Sequence, residues 1–376
     1  MQSAGIYLHI PFCSKKCGYC DFNAYSGYKD GTKRRYVEAL CAEIAAAAEP
    51  IRIPTIFFGG GTPTHLAAAD LVRLLRTVRE SFPVDPDAEI SVEANPSDVD
   101  AGYLETLRTG GFNRISFGVQ TFNDSLLKTI DRLHTGADAE QAVALARRAG
   151  FDNLSLDLMF ALPRQTLSDW DRTLDATFAL DVPHLSVYAL ILEEGTPFFA
   201  RRERGRLRLP SEKVETAMFA RAIERITARG YEHYEISNYA RPGYACRHNR
   251  VYWRNEPYFG FGAGAVAYRN GVRSTNVRRP SRYIEVVLAG GDLIEEQESV
   301  APEVTVGETV MLGLRLREGI DLTEFARRFG SAPDELFPDV VRKHTESGLL
   351  EIADGHLRLT ARGLFLANEV MADFLP

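Results

Sequence analysis

The chain has 376 residues, 45% of them hydrophobic and 25% charged, and a formal net charge of −7. That supplies enough apolar material for one large domain and a smaller one, while no apolar run approaches the ~20 residues that span a bilayer. Five cysteines and an amino terminus without leader character point to a reduced, cytoplasmic protein rather than a disulfide framework, with peripheral membrane contact left open.

The first expected strand, Gly5–Ile10, runs into His9-Ile-Pro-Phe-Cys-Ser-Lys-Lys-Cys-Gly-Tyr-Cys-Asp-Phe22, where Cys13, Cys17 and Cys20 form a Cys-x3-Cys-x2-Cys set. A cubane iron–sulfur cluster takes four thiolates, so a loop that offers three leaves one iron open for chemistry. A structural zinc site normally closes with four ligands, commonly as paired Cys-x2-Cys units, and no second pair lies nearby. His9 is either a fourth ligand or simply a packed strand residue, and Cys41 reads as a small buried hydrophobe.

A helix over Lys33–Ala48 and a strand over Thr55–Phe58 lead to Gly59-Gly60-Gly61-Thr62-Pro63-Thr64. The glycine run is either a tight turn or a backbone edge cleared of side chains so that a ligand can approach. The pattern then repeats through helix Ala67–Ser81, strand Glu89–Glu93, helix Ala101–Thr109, strand Arg114–Val119 and helix Ala137–Ala149. It continues with strand Asn153–Leu158, helix Leu167–Ala179, strand His184–Leu190 and helix Ser211–Arg229. Six strands alternating with six helices predict an α/β fold, a partial (β/α)6 TIM-type barrel. Ligands gather at the carboxyl ends of such strands, where this chain places the cysteine loop, the glycine run, Glu93, Gln120, Asp157 and Tyr188. Glu93, Gln120, Arg132 and Asp157 each read either as turn-stabilising groups or as ligand-binding ones.

We read residues 1–240 as the barrel and 241–290 as a segment that closes it, containing His248-Asn249-Arg250-Val251-Tyr252-Trp253. His248 is either a hydrogen-bonded core residue or a metal ligand, and Cys246 offers a thiolate alternative. Residues 291–376 hold 17 Asp/Glu against 8 Lys/Arg. Helices over Val306–Arg317, Leu322–Phe329 and Pro338–Ser347 precede strands Leu349–Ala353 and His356–Thr360 around Asp354-Gly355, a type I′ turn signal, and a last helix spans Ala361–Phe374. This small α+β domain resembles a winged helix, but its acidity makes nucleic acid a poor partner; we read it as a docking or lid element.

Together, Tyr7-Leu8-His9-Ile10-Pro11-Phe12-Cys13, Phe58 to Thr64, Ser91 to Pro96, Gly118 to Phe122, Asp131 to His134 and Asn153 to Met159 resemble the HemN-like family of radical S-adenosylmethionine (SAM) proteins. That family comprises oxygen-independent coproporphyrinogen III oxidases and haem chaperones, and the resemblance covers nearly the whole chain. It implies a radical SAM barrel in which Cys13, Cys17 and Cys20 ligate a 4Fe-4S cluster, with Tyr7, Tyr19, Gly60, Gly61, Thr62, Glu93, Gln120, Arg132 and Asp157 as candidates for binding SAM. Phe22 stands where the oxidases carry a further cysteine, and only twelve residues precede Cys13 where they carry a long extension. The His-Asn-x2-Tyr-Trp motif at 248–253 is the signature of the chaperone group and makes His248 a candidate haem ligand. The resemblance therefore implies a chaperone that carries haem to acceptors such as respiratory enzymes and works as a homodimer, with oxidative decarboxylation of coproporphyrinogen as the alternative activity.

Overall fold

The computed structural model describes residues 3–375. In chain order the first part comprises β1 (Ser3–Ile10), α1 (Asp30–Ala46), β2 (Arg52–Gly60), α2 (Ala68–Ser81), β3 (Val84–Ala94), α3 (Ala101–Thr109) and β4 (Arg114–Gln120). It continues with α4 (Asp124–Thr129), α5 (Gly136–Arg148), β5 (Asn153–Phe160), α6 (Leu167–Leu180), β6 (His184–Ala189), α7 (Pro197–Glu203) and α8 (Glu212–Thr227). The six strands β1 to β6 pair in sequence order and all in parallel. Helices cover the outer face, so residues such as Ile6, Leu8, Ile56, Phe58, Val92, Ile115 and Leu156 are fully shielded there, as strands of a parallel sheet should be.

Local signals set the helix starts. Thr135 and Thr166 form capping boxes with Asp138 and Asp169 at the heads of α5 and α6, and Asp100 accepts from the Tyr103 amide at the head of α3. Each such cap is worth about 1 kcal/mol. Trp170 on α6 is buried and donates its indole N–H to the Met218 carbonyl of α8 at 2.9 Å, tying two outer helices together.

Beyond α8 the sheet grows at both edges. β7 (Glu232–Glu235) and β8 (Asn238–Ala240) form a hairpin that pairs antiparallel to β6. The chain then crosses back through α9 (Arg247–Trp253) to β9 (Tyr258–Phe261), which lies parallel to β1 on its free side. β10 (Val266–Arg269), β11 (Val272–Asn276) and β12 (Ile294–Ser299) follow antiparallel, with α10 (Pro280–Leu288) inserted before the last. The result is one open twelve-stranded sheet running from β12 to β7. The edge strand β12, Ile-Glu-Glu-Gln-Glu-Ser, is exposed throughout, and its charges discourage pairing with another chain.

A second core, built on Val310, Leu314, Phe325, Leu357, Val370 and Phe374, belongs to the last part of the chain. It contains α11 (Pro302–Gly313), β13 (Ile320–Asp321), α12 (Leu322–Phe329), α13 (Pro333–Leu336), α14 (Pro338–Glu346), β14 (Leu350–Ala353), β15 (His356–Leu359) and α15 (Ala367–Ala372). The hairpin turns at Asp354 and Gly355, both at positive φ (52° and 77°), as a type I′ turn demands. The final helix is split, with a 3-10 turn over Gly363–Leu366 before α15. Phe219 and Ile223 of α8 pack against both cores and join them.

Candidate cofactor site

Side chains on the inner face of the parallel strands lie in layers. The register pairs Tyr7 with Phe57 and His9 with Gly59, and further round the sheet Glu93 with Ser116 and Asp157 with Ser186. The loops that follow these strands enclose a cavity of about 550 Å³. Cys13, Cys17, Cys20, Tyr19, Gly60, Gly61, Thr62, Glu93, Gln120, Arg132 and Asp157 all line it. Phe22 and Ile191 stand at its wall with 63% and 67% of their surface exposed, an apolar lip on a polar cavity.

The cysteine loop is held from several sides. Tyr25 N–H donates to the Pro11 carbonyl at 2.8 Å and Cys13 N–H to the Tyr25 carbonyl at 2.9 Å, closing the loop's base. The amides of Gly61 and Thr62 donate to the Ile10 and Phe12 carbonyls, which docks the glycine run on the start of the loop. A Cβ at Gly61 would lie 2.9 Å from the Phe12 carbonyl oxygen and 3.1 Å from Cys13 Sγ, and Gly60 is at φ +114°. These two positions therefore require glycine, one for close approach and one for conformation.

Burial raises the Cys13 thiol above its ordinary value and pushes Cys20 up to about 11, so without metal both are protonated at neutral pH. Among the described residues no three His, Cys, Asp or Glu side chains are gathered to share a single ion. A 4Fe-4S cluster differs in spreading its thiolates over separate irons. The donor set fits such a cluster: three thiols on one loop, facing one cavity, with a side-chain-free backbone beside Cys13. His9 adds no fourth ligand in this arrangement. Its Nε2 donates to the Asn23 carbonyl at 2.9 Å, and its Nδ1 accepts from the Tyr7 hydroxyl at 3.0 Å.

Opposite the thiols the cavity is acidic and basic by turns. Gly60 N–H donates to Glu93 Oε2 at 3.2 Å, and Ser116 Oγ donates to Asp157 Oδ1 at 2.9 Å. Burial, with the Asp157 charge adding to it, pushes Glu93 up to about 8, and burial also raises Asp157. Arg132 donates to Asn95 Oδ1 and the Gly118 carbonyl, and Asn95 Nδ2 donates to Thr62 Oγ1 at 3.1 Å. Thr62 Oγ1 lies in turn 3.4 Å from Cys13 Sγ, so a polar chain links the arginine to the cysteine loop. Gln120 sits at φ +66°, where β4 loses register with β5, and its amide oxygen accepts from the Tyr188 hydroxyl at 2.9 Å.

The structure thus brings together every expected SAM-site residue except Tyr7, which packs one layer below against Phe57. Tyr188, expected at the rim, lines the cavity too, and so do Asn95 and Ser186, which sequence reasoning does not pick out. The register offered the signal: Asn95 lies two residues beyond Glu93, and Ser186 stands beside Asp157.

His248 is elsewhere. It sits on α9 at the other end of the strands, beside Gly5 and Thr55, roughly 16 Å from Gly60 at the rise of an extended chain. It is fully buried, with Nδ1 2.9 Å from Thr55 Oγ1 and Nε2 2.9 Å from the Tyr252 hydroxyl. The head of α9 is fixed by Glu89 of β3, whose carboxylate accepts from the amides of Arg247 and His248 and from the Cys246 thiol. Burial and the nearby Arg114 charge push His248 down to about 3, which keeps it neutral. In this arrangement neither ring nitrogen is open to a metal.

The radical SAM superfamily model matches residues 7–177 and the HemN C-terminal domain model residues 300–366. A protein named heme chaperone HemW from Bacillus subtilis (strain 168) is 41% identical over 100% of this chain and 99% of its own length. A protein of the same name from Escherichia coli (strain K12) is 35% identical over 98% of this chain and 97% of its own. Among solved structures, coproporphyrinogen III oxidase (HemN) from Escherichia coli, described as a radical SAM enzyme, superposes with a TM-score of 0.86 at 25% identity, covering 99% of this chain and 90% of that one.

Proposed function

The chain belongs to the HemW family of radical SAM proteins, and from that premise we propose that it is a haem chaperone which carries a 4Fe-4S cluster and SAM and hands haem to haem-requiring acceptors such as respiratory enzymes. The observation that carries this reading is its end-to-end similarity to proteins named heme chaperone HemW, at 41% identity, against 25% to the oxidase of the same fold. The open cluster and SAM, when bound, supply one-electron chemistry. Cys13, Cys17 and Cys20 would hold the cluster. Gly60, Gly61 and Thr62 would present backbone to the methionine part of SAM, while Glu93 and Asp157 would accept hydrogen bonds from hydroxyls and Gln120 and Arg132 would fix polar groups. Tyr19 would form part of the wall beside the cysteine loop. Tyr7 would act at one remove, by holding His9 and so the start of the loop.

The oxidase fold keeps a second reading in view, decarboxylation of coproporphyrinogen propionates. One experiment separates the two. Cluster-reconstituted protein is incubated anaerobically with SAM, a reductant and coproporphyrinogen III, and a parallel sample is titrated with haem. Stoichiometric haem binding without tetrapyrrole product is the expected result; protoporphyrinogen IX would make the protein an oxidase. Among the described residues no helix is long and apolar enough to cross a membrane, so a respiratory acceptor would be met at its surface.

A further inference from the structure

If the proposed function holds, cluster and SAM share the cavity of about 550 Å³ at the barrel mouth. A single small-molecule ligand takes a pocket of about 300–1,000 Å³, so a tetrapyrrole needs a place of its own. A second cavity of about 480 Å³ lies between the end of α9 and the carboxyl-terminal domain, walled by Trp253, Leu316, Ile320, Phe325 and Phe329. His356, first residue of β15, lines it. The His356 Nδ1 is 3.0 Å from the Asp354 carbonyl oxygen, which can only accept. The proton of the neutral ring therefore sits on Nδ1, and Nε2 keeps its lone pair, the arrangement of a histidine ready to ligate. The nearest carboxylate to that nitrogen is Asp321, at 4.0 Å.

The other seven histidines are less suitable. His9, His134, His184, His248 and His344 are buried. His233 is stacked on Tyr239 at 4.3 Å with its Nε2 on the Ile236 carbonyl, and His65 lies beside Ser14 at the cysteine loop. Cys246 is buried as well. Of the charged groups that line the second cavity, Glu318 is held by both Arg250 and Arg254, Glu324 by Arg327, Asp321 caps α12, Arg328 donates to the Arg254 and Asn255 carbonyls, and Glu256 completes the set. Arg254, which shares Glu318 with Arg250, is half exposed at the rim and suited to a propionate.

We propose that this second cavity seats an iron porphyrin, with His356 Nε2 as the axial ligand and Trp253, Phe325 and Phe329 as its apolar walls. This rests on the haem-chaperone reading. The bond is a dative one from the Nε2 lone pair to iron, with loss of whatever solvent ligand the iron carried and no change in oxidation state. The motif at 248–253 then contributes through Trp253, while His248 holds the helix in place.

The test is optical and EPR spectroscopy of full-length protein loaded with ferric haem and freed of excess by gel filtration, for wild type, His356→Ala and His248→Gln, with thermal unfolding confirming that each variant folds. His356→Ala should weaken haem binding tenfold or more and lose the imidazole-ligated spectrum, which added imidazole should restore; His248→Gln should keep it. An unchanged spectrum and affinity in His356→Ala would overturn the proposal while leaving the chaperone reading intact. Wild-type protein that retains no haem would remove the chaperone reading and this site together.

Discussion

Replacing Glu93 by glutamine should stabilise the metal-free protein, and by more as the pH rises. Glu93 is pushed from 4.5 to about 8 by burial first and by Asp157 second. Its folded value is thus the higher one, so between these limits the native state binds the extra proton and stability falls with increasing pH. Each unit is worth about 1.4 kcal/mol, so the penalty is about 2 kcal/mol at pH 6 and about 5 kcal/mol at pH 9. Glu93 faces an open cavity that water can enter, which makes these figures upper bounds. The glutamine carbonyl can still accept from the Gly60 amide, and the amide does not titrate. Urea unfolding of iron-free protein at pH 6 and pH 9, followed by Trp170 fluorescence in a Trp253→Phe background, reads the barrel transition. The advantage of the variant should grow by up to about 3 kcal/mol between the two conditions. An advantage that is constant, or that shrinks with pH, would show that Glu93 is not held protonated by its surroundings.

Three further outcomes follow from named contacts. Cys13→Ala, Cys17→Ala and Cys20→Ala should each abolish the iron and sulfide content of reconstituted protein, whereas Cys41→Ala should leave both at wild-type levels by elemental analysis. His248→Ala strips partners from Thr55 and Tyr252 and opens a buried hole, and should cost about 3–5 kcal/mol in chemical denaturation; a loss below about 1 kcal/mol would contradict its structural role. Thr166→Ala removes one capping box and should lower stability by about 1 kcal/mol, with a similar loss at each pH where Asp169 is ionised.

Much of the barrel was legible because each βα unit carries its own punctuation. The expected strand Arg114–Val119 and helix Leu167–Ala179 lie within a residue of the observed Arg114–Gln120 and Leu167–Leu180. The cysteine and glycine loops were readable because their spacing is local. Strands β7 to β11 were not: runs such as Asn238–Ala240 and Val266–Arg269 are three or four residues long, too short for periodicity to register, and they exist because β6 and β1 offer unpaired edges. Asn95 escaped for a related reason. Its importance lies in reaching Arg132 and Thr62, on two other loops.

His248 shows where a motif stops being informative. The sequence says that a histidine sits near a tyrosine and a tryptophan, and this is equally true of a haem ligand and of a packed core group. What separates them is the register that sets Gly5 and Thr55 against α9. A Cβ at residue 5 would stand 3.3 Å from the His248 ring, so the missing side chain of Gly5 is the space the imidazole fills. With Glu89 holding three donors at the helix head, the floor of the barrel is a closed polar network in which every partner of His248 is already chosen. A cargo as large as a porphyrin cannot enter such a floor without unmaking it. The outward side of the same helix is built differently: Arg250 and Arg254 share Glu318, Arg315 stacks on one side of Trp253, and Trp253, five residues on, borders a cavity that the carboxyl-terminal domain completes. One short segment can therefore seal the barrel at its first turn and build a binding wall at its last.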